Sequence, residues 1–159
     1  MDGLPTMGAH TVDSPCYDLH GWTVKLLLTS QQTGGQFSMI EVVIPAKSDG
    51  EFHIHQKEDE SMYLLDGELE MTIGDDVFTL KAGESYFAPP NIKHRLRNVS
   101  DKPARGVTLT TPGGSDELIV QAGTPFVGGA KKHTPPSAEE LLKMTAARGV
   151  TLLESAATS

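Results

Sequence analysis

The chain has very little cysteine. Cys16 is the only one in 159 residues, so no disulfide can form within the chain. A lone thiol fits a reducing compartment, and Cys16 reads as an incidental thiol in an irregular N-terminal segment. Positive charge is also scarce. Thirteen Lys and Arg stand against 21 Asp and Glu, for a net charge of −8. That balance argues against nucleic-acid binding, which needs cations to neutralise phosphates, and against an anionic membrane surface. It suits solubility. Long hydrophobic runs are missing: nothing approaches the roughly 18 apolar residues of a membrane span. The opening stretch, MDGLPTMGAHTVDSP, has no cationic start and no apolar run, so it does not read as a secretory signal. The expected location is the cytoplasm.

What is abundant points elsewhere. Sixteen glycines and ten prolines imply frequent turns and short strands. The length suits one domain with a core of its own. Residues 1–20 read as irregular. From Trp22 the apolar runs WTVKLLLTS and QFSMIEVVIPA read as strands, the second ended by Pro45. Asp66-Gly67 and Gly74-Asp75-Asp76 separate further short apolar runs, and such turns predict hairpins. About nine strands over residues 21–112 predict an antiparallel barrel or jelly roll, an all-β fold. Residues 113–159 read as a loop followed by a short helix packing on the barrel. Ser137 at the N-cap and Glu140 three residues on form a capping box, and Gly149 supplies the stop. Leu141, Leu142 and Met144 give that helix an apolar side.

The chemistry concentrates in DGEFHIHQKEDE, residues 49–60. On a strand His53 and His55 point to the same face. Glu60 opens the next apolar run and comes opposite the histidines if the two runs pair as a hairpin. Glu58 and Asp59 are rival carboxylates that fall in the turn, where solvent would take them. Two histidines and one carboxylate suit a divalent transition metal with open positions. His94, opening the alternating run His94-Leu96-Asn98, is the natural fourth ligand. An exposed pair of histidines on a charged strand end explains the spacing alone equally well. His10, His20 and His133 have no partner at ligand spacing and read as ordinary histidines.

These residues resemble the cupin superfamily, specifically its small single-domain quercetinase-like members. The first cupin motif, Gly-x5-His-x-His-x3–4-Glu-x6-Gly, is matched by His53, His55, Glu60 and Gly67, with Lys47 where the opening glycine belongs. The second, Gly-x5-Pro-x-Gly-x2-His-x3-Asn, is matched by Gly83, Pro89, His94 and Asn98, with Asn91 for the middle glycine. Asparagine tolerates a left-handed turn, so that exchange is mild. The tail TPPSAEELLKMTAARGVTLL is similar to the C-terminal helix of such proteins.

The resemblance implies a double-stranded β-helix holding one divalent metal ion through His53, His55, Glu60 and His94. Iron is the first expectation, and manganese, nickel, cobalt, copper and zinc are also accepted by such ligands. Two free coordination positions would suit anionic oxygens: enolates, phenolates and carboxylates. Glu60 is also the candidate base. Strand alternation nominates Met62, Leu64, Leu96, Asn98, Phe87, Phe37 and Met39 as walls of a substrate pocket. The leading expectation is a dioxygenase acting on a small phenolic or enol-type compound. A metal-dependent cyclase, isomerase, dehydratase or decarboxylase needs no oxygen and comes second. A non-catalytic small-molecule binder or sensor comes third. Strands apolar on both faces imply a covering subunit, and the family's habit makes it a homodimer.

Overall fold

The computed structural model describes residues 14–126 and 134–153. In chain order the strands are β1 (Cys16–Leu19), β2 (Trp22–Leu28), β3 (Ser38–Ile44), β4 (Ser48–Asp49), β5 (His53–His55), β6 (Asp59–Asp66), β7 (Glu68–Ile73), β8 (Asp76–Lys81), β9 (Ser85–Ala88), β10 (His94–Asn98) and β11 (Ala104–Thr111). Helix α1 (Ser115–Ala122), β12 (Thr124–Pro125), α2 (Ala138–Ala147) and β13 (Val150–Leu152) complete the described residues. One sheet runs β12-β1-β2-β3-β11-β6-β9 and the other β13-β5-β10-β7-β8, with β4 on β10. The strand pairs are antiparallel throughout, in the jelly-roll arrangement the turn spacing predicts.

Alternation along the strands fills the space between the sheets. On β6 the buried side chains are Glu60, Met62 and Leu64, and on β7 Leu69 and Met71 point the same way into the core. Ile44, Val42, Val24, Leu26 and Leu80 meet them in one core. Each apolar side chain among them stabilises the fold by about 1.5–3 kcal/mol when fully withdrawn from water.

Local chemistry explains the connections. Gly74-Asp75 closes the β7–β8 hairpin, with Ile73 opposite Asp76. The hairpin expected at Asp66-Gly67 does not form: β6 pairs with β11 and β9, and β7 pairs with β10 and β8. This turn carries the chain from one sheet to the other. Gly67 has φ of 84° there, and a Cβ would sit 2.9 Å from Ala104 Cα and from Pro103 O. Lys47, where the motif has glycine, takes the left-handed conformation anyway, with φ of 54°. Its ammonium donates to Val99 O at 2.7 Å and lies 3.0 Å from Asp101, which helps hold the turn. Asn91 takes the other glycine's place with φ of 65°.

The ends differ from the sequence-based expectation. Cys16–Leu19, read as irregular, pairs with β2 and β12. Helix α1 lies in a stretch expected to be loop. It is anchored by the buried Asp116, which accepts from Ser30 N at 3.1 Å and from Ser38 Oγ at 2.5 Å. Helix α2 carries the expected capping box at Ser137 and Glu140, and Gly149 is left-handed at φ of 74°. Its inward face holds Thr145, whereas Leu142 is exposed. The helix also does more than pack. It delivers β13, which pairs with β5 so that Val150 faces His55 and Leu152 faces His53.

Candidate metal centre

Strand β5 places His53 and His55 on one face, and β10 lies antiparallel to it with His94 opposite His53. Three imidazoles therefore come from two adjacent strands of one sheet. Glu60 comes from the facing sheet. It approaches the histidines across the barrel interior and not as a hairpin neighbour, because β6 does not pair with β5. One ligand atom from each of His53, His55, Glu60 and His94 falls within 4.8 Å of the others. His55, Glu60 and His94 are buried, and His53 is half-buried.

The ring nitrogens turned away from this point are engaged. His53 Nδ1 lies 2.9 Å from Glu51 O, His94 Nδ1 lies 3.0 Å from Ile92 O, and His55 Nδ1 lies 3.0 Å from Glu58 Oε2. A carbonyl can only accept, so Nδ1 of His53 and His94 carries the proton. The Nε2 atoms are then left with lone pairs. Nε2 of His55 and of His94 are buried without a hydrogen-bond partner. Glu60 oxygens lie 3.3 and 3.6 Å from them. Those separations carry charge attraction without a well-formed hydrogen bond. Buried nitrogens left unpaired are expensive. Orphaned imidazole nitrogens and a carboxylate converging on one point fit a divalent transition metal ion.

In the metal-free cluster burial and the two carboxylates pull the imidazoles in opposite directions. Burial lowers the pKa of His53 to about 4, against the attraction of Glu60. Burial also opposes charge on His55, but the carboxylates of Glu58 and Glu60 override it and raise its pKa to about 9. Burial would raise Glu60, yet the imidazoles around it hold it well below the usual carboxylate range. Glu60 is thus kept ionised. Tyr86 donates its hydroxyl proton to Glu60 Oε1. Burial first, and then the Glu60 charge, push the phenol's pKa well above its ordinary value.

Two residues beside the site differ from expectation. Glu58, expected in solvent, is buried and paired with His55. Tyr86 is the inward residue of β9, not Phe87. Tyr86 faces Met62 in the register and is buried, while Phe87 is 59% exposed. Choosing between these neighbours requires the strand's register, and a shift of one residue reverses every side chain.

The expected pocket wall divides in the same way. Met62 and Leu96 are buried two residues from Glu60 and His94, and Leu64 lies one step further into the core. Met39 has the parity of Glu41 and Val43, opposite to the buried Ser38, Val42 and Ile44, and so faces outward. Phe37 is half-buried just before β3. Asn98 is fully buried and clamps a turn, donating to Ile44 O and Lys102 O and accepting from Ser100. A groove of about 440 Å³ does bring Phe87 together with Met62, alongside Ser61, Tyr63, Ser85, Tyr86 and Leu109. None of the four clustered residues lines it. His20 sits in a left-handed turn between β1 and β2, and His10 and His133 lie outside the described residues.

Comparison with known proteins gives a consistent picture. The cupin domain family model matches residues 39–110, which hold all four clustered residues. Protein SchB of Streptomyces halstedii is 32% identical over 95 residues, 58% of this chain and 68% of that protein. Quercetin 2,3-dioxygenase of Bacillus subtilis is 27% identical over 124 residues, 77% of this chain but only 36% of the enzyme. Among solved structures, an RmlC-like cupin from Shewanella frigidimarina superposes with a TM-score of 0.60 at 16% identity, covering 72% of this chain and 99% of that one.

Proposed function

Since the chain belongs to the cupin superfamily, we propose that it is a metal-dependent dioxygenase acting on a small phenolic or enol-type compound. The observation that carries the metal is the convergence of His53, His55, Glu60 and His94 in one barrel interior. The similarity to a quercetin dioxygenase, which extends over more of this chain than the barrel core alone, favours oxygen chemistry. A divalent ion held by these four residues would supply a Lewis-acid centre for an anionic oxygen and, if redox-active, a place to bring dioxygen beside it.

The chain's own residues then have definable tasks. Three neutral imidazoles and one carboxylate would leave a bound divalent ion with net positive charge, which would favour an enolate or phenolate over a neutral ligand. Glu60 is held ionised, which suits ligation. The same stabilisation makes it a weak base, so in this reading it coordinates and does not shuttle protons. Tyr86 fixes the orientation of Glu60 through Oε1. Met62 and Leu96 give the interior beside the ligands an apolar lining, which excludes water and favours an aromatic or aliphatic body over a sugar.

The test is elemental analysis of the purified protein, followed by an oxygen-uptake screen against phenolic and 1,3-dicarbonyl compounds. Metal near one equivalent and oxygen consumption with such a substrate are expected. Turnover that persists unchanged without oxygen overturns the dioxygenase reading and assigns the site to isomerase, cyclase or lyase chemistry. Metal-free protein at full biological activity makes it a binder.

A further inference from the structure

Glu58 is a carboxylate without a conventional reason to be buried. It lies in the connection between β5 and β6, with 8% of its surface exposed. Among the described residues no lysine or arginine pairs with it. Its neighbour Gly114 brings backbone against it: a Cβ there would lie 3.4 Å from Glu58 Oε1. Withdrawing an ionised carboxylate from water is costly unless a partner compensates. The partner is His55 Nδ1, 3.0 Å from Oε2.

The three imidazoles are not oriented alike. His53 and His94 are held by backbone carbonyls of residues two positions before them. Those acceptors are fixed by the strand ends themselves. His55 alone depends on a side chain. Glu58 meets the nitrogen on the opposite edge of the ring from Nε2, and it is not part of the cluster that can share an ion. It is therefore placed to orient a ligand and not to be one. A carboxylate behind a metal-binding imidazole fixes its tautomer and makes it a stronger donor.

We propose that Glu58 is a positioning residue for the metal centre, setting the direction and donor strength of His55. This rests on the metal reading above. The acid that sequence spacing places in solvent thereby becomes part of the site, and it explains why the connection from β5 to β6 folds inward.

Cobalt(II) titrated into the metal-free wild type, Glu58→Ala and Glu58→Gln, followed by its visible absorption, tests this. Wild type should bind one equivalent. Glu58→Ala should lose about 10–100-fold in affinity, the usual effect of removing such a partner, and its cobalt spectrum should shift. Glu58→Gln can still accept from Nδ1 and should recover most of the affinity. A merely structural role predicts instead a lowered unfolding midpoint with an unchanged cobalt spectrum. If Glu58→Ala does not fold, Glu58→Gln and Glu58→Asp decide: weaker binding by the short side chain than by the amide supports the proposal. Wild-type affinity and spectrum in Glu58→Ala, or in Glu58→Asp should alanine not fold, overturn it. Wild type that binds no cobalt overturns the metal reading and this proposal with it.

Discussion

Replacing Tyr86 by phenylalanine removes one hydroxyl and leaves the ring in place. Tyr86 is 5% exposed and packs in the core, so the substitution opens no large cavity. What is lost is the hydrogen bond to Glu60 Oε1. The phenol's pKa is raised well above its ordinary value, so it remains a donor at any working pH. Glu60 stays ionised, so the bond is charge-assisted. Such bonds contribute about 1.5–3 kcal/mol. The imidazoles of His55 and His94, 3.3 and 3.6 Å away, remain near the carboxylate, which places the expected loss at the lower end. With a urea dependence of about 2 kcal/mol per molar, a loss of about 1.5 kcal/mol moves the midpoint down by about 0.8 M. The assay is urea unfolding of the metal-free protein followed by Trp22 fluorescence. Trp22 is the only tryptophan and donates to Ser48 Oγ at 2.6 Å, so its emission reports unfolding. A midpoint within about 0.2 M of wild type, on the same scale, would refute the reasoning. It would mean that the hydroxyl contributes nothing to holding Glu60.

Gly67→Ala and Gly83→Ala form a controlled pair, since both positions are left-handed, at φ of 84° and 89°. Gly83 has open space around it, so alanine there should cost only about 1–2 kcal/mol of backbone strain. At Gly67 the clash with Ala104 and Pro103 adds to that strain, and thermal unfolding should show a clearly larger loss; equal losses would contradict the close approach. Metal-free stability should peak near pH 6.5. His53 is lowered to about 4, so stability falls as pH drops from 6.5 through 4. His55 is raised to about 9, so its contribution, complete below 6.5, is lost as pH rises through 9. A midpoint rising steadily across pH 6.5–9 would contradict this assignment. The homodimer is expected to use the outer face of the larger sheet, where Tyr63 and Phe87 are 51% and 59% exposed. Light scattering that finds a 17.1 kDa particle removes that prediction.

The four clustered residues were legible through the resemblance to the cupin motifs, because strand spacing alone pairs only two of them. His53 and His55 must share a face wherever the strand lies, and the two motifs carry Glu60 and His94 at fixed offsets from turns. The capping box of α2 was equally local, since Ser137 and Glu140 need only each other. Long-range partners were not legible in this way. Nothing near Glu58 in the chain shows that Gly114 will cover it. Nothing near Val150 shows that a strand there will pair with His55. Asp66-Gly67 is a strong turn signal, but a turn does not say whether the strands it joins will pair or part.

Local periodicity and turn chemistry in the sequence by itself were enough for the all-β class and for the strand-by-strand alternation. The four residues able to hold a metal ion were read from the resemblance to the two cupin motifs. Tertiary structure decided which sheet each strand joined, and so that Glu60 meets the histidines across the barrel. It also decided the register of β9, which turns Tyr86 inward and Phe87 out. The burial of Glu58 belongs here too. The physical reason is the same in each case: the free energy of a side chain depends on groups brought to it from distant parts of the chain.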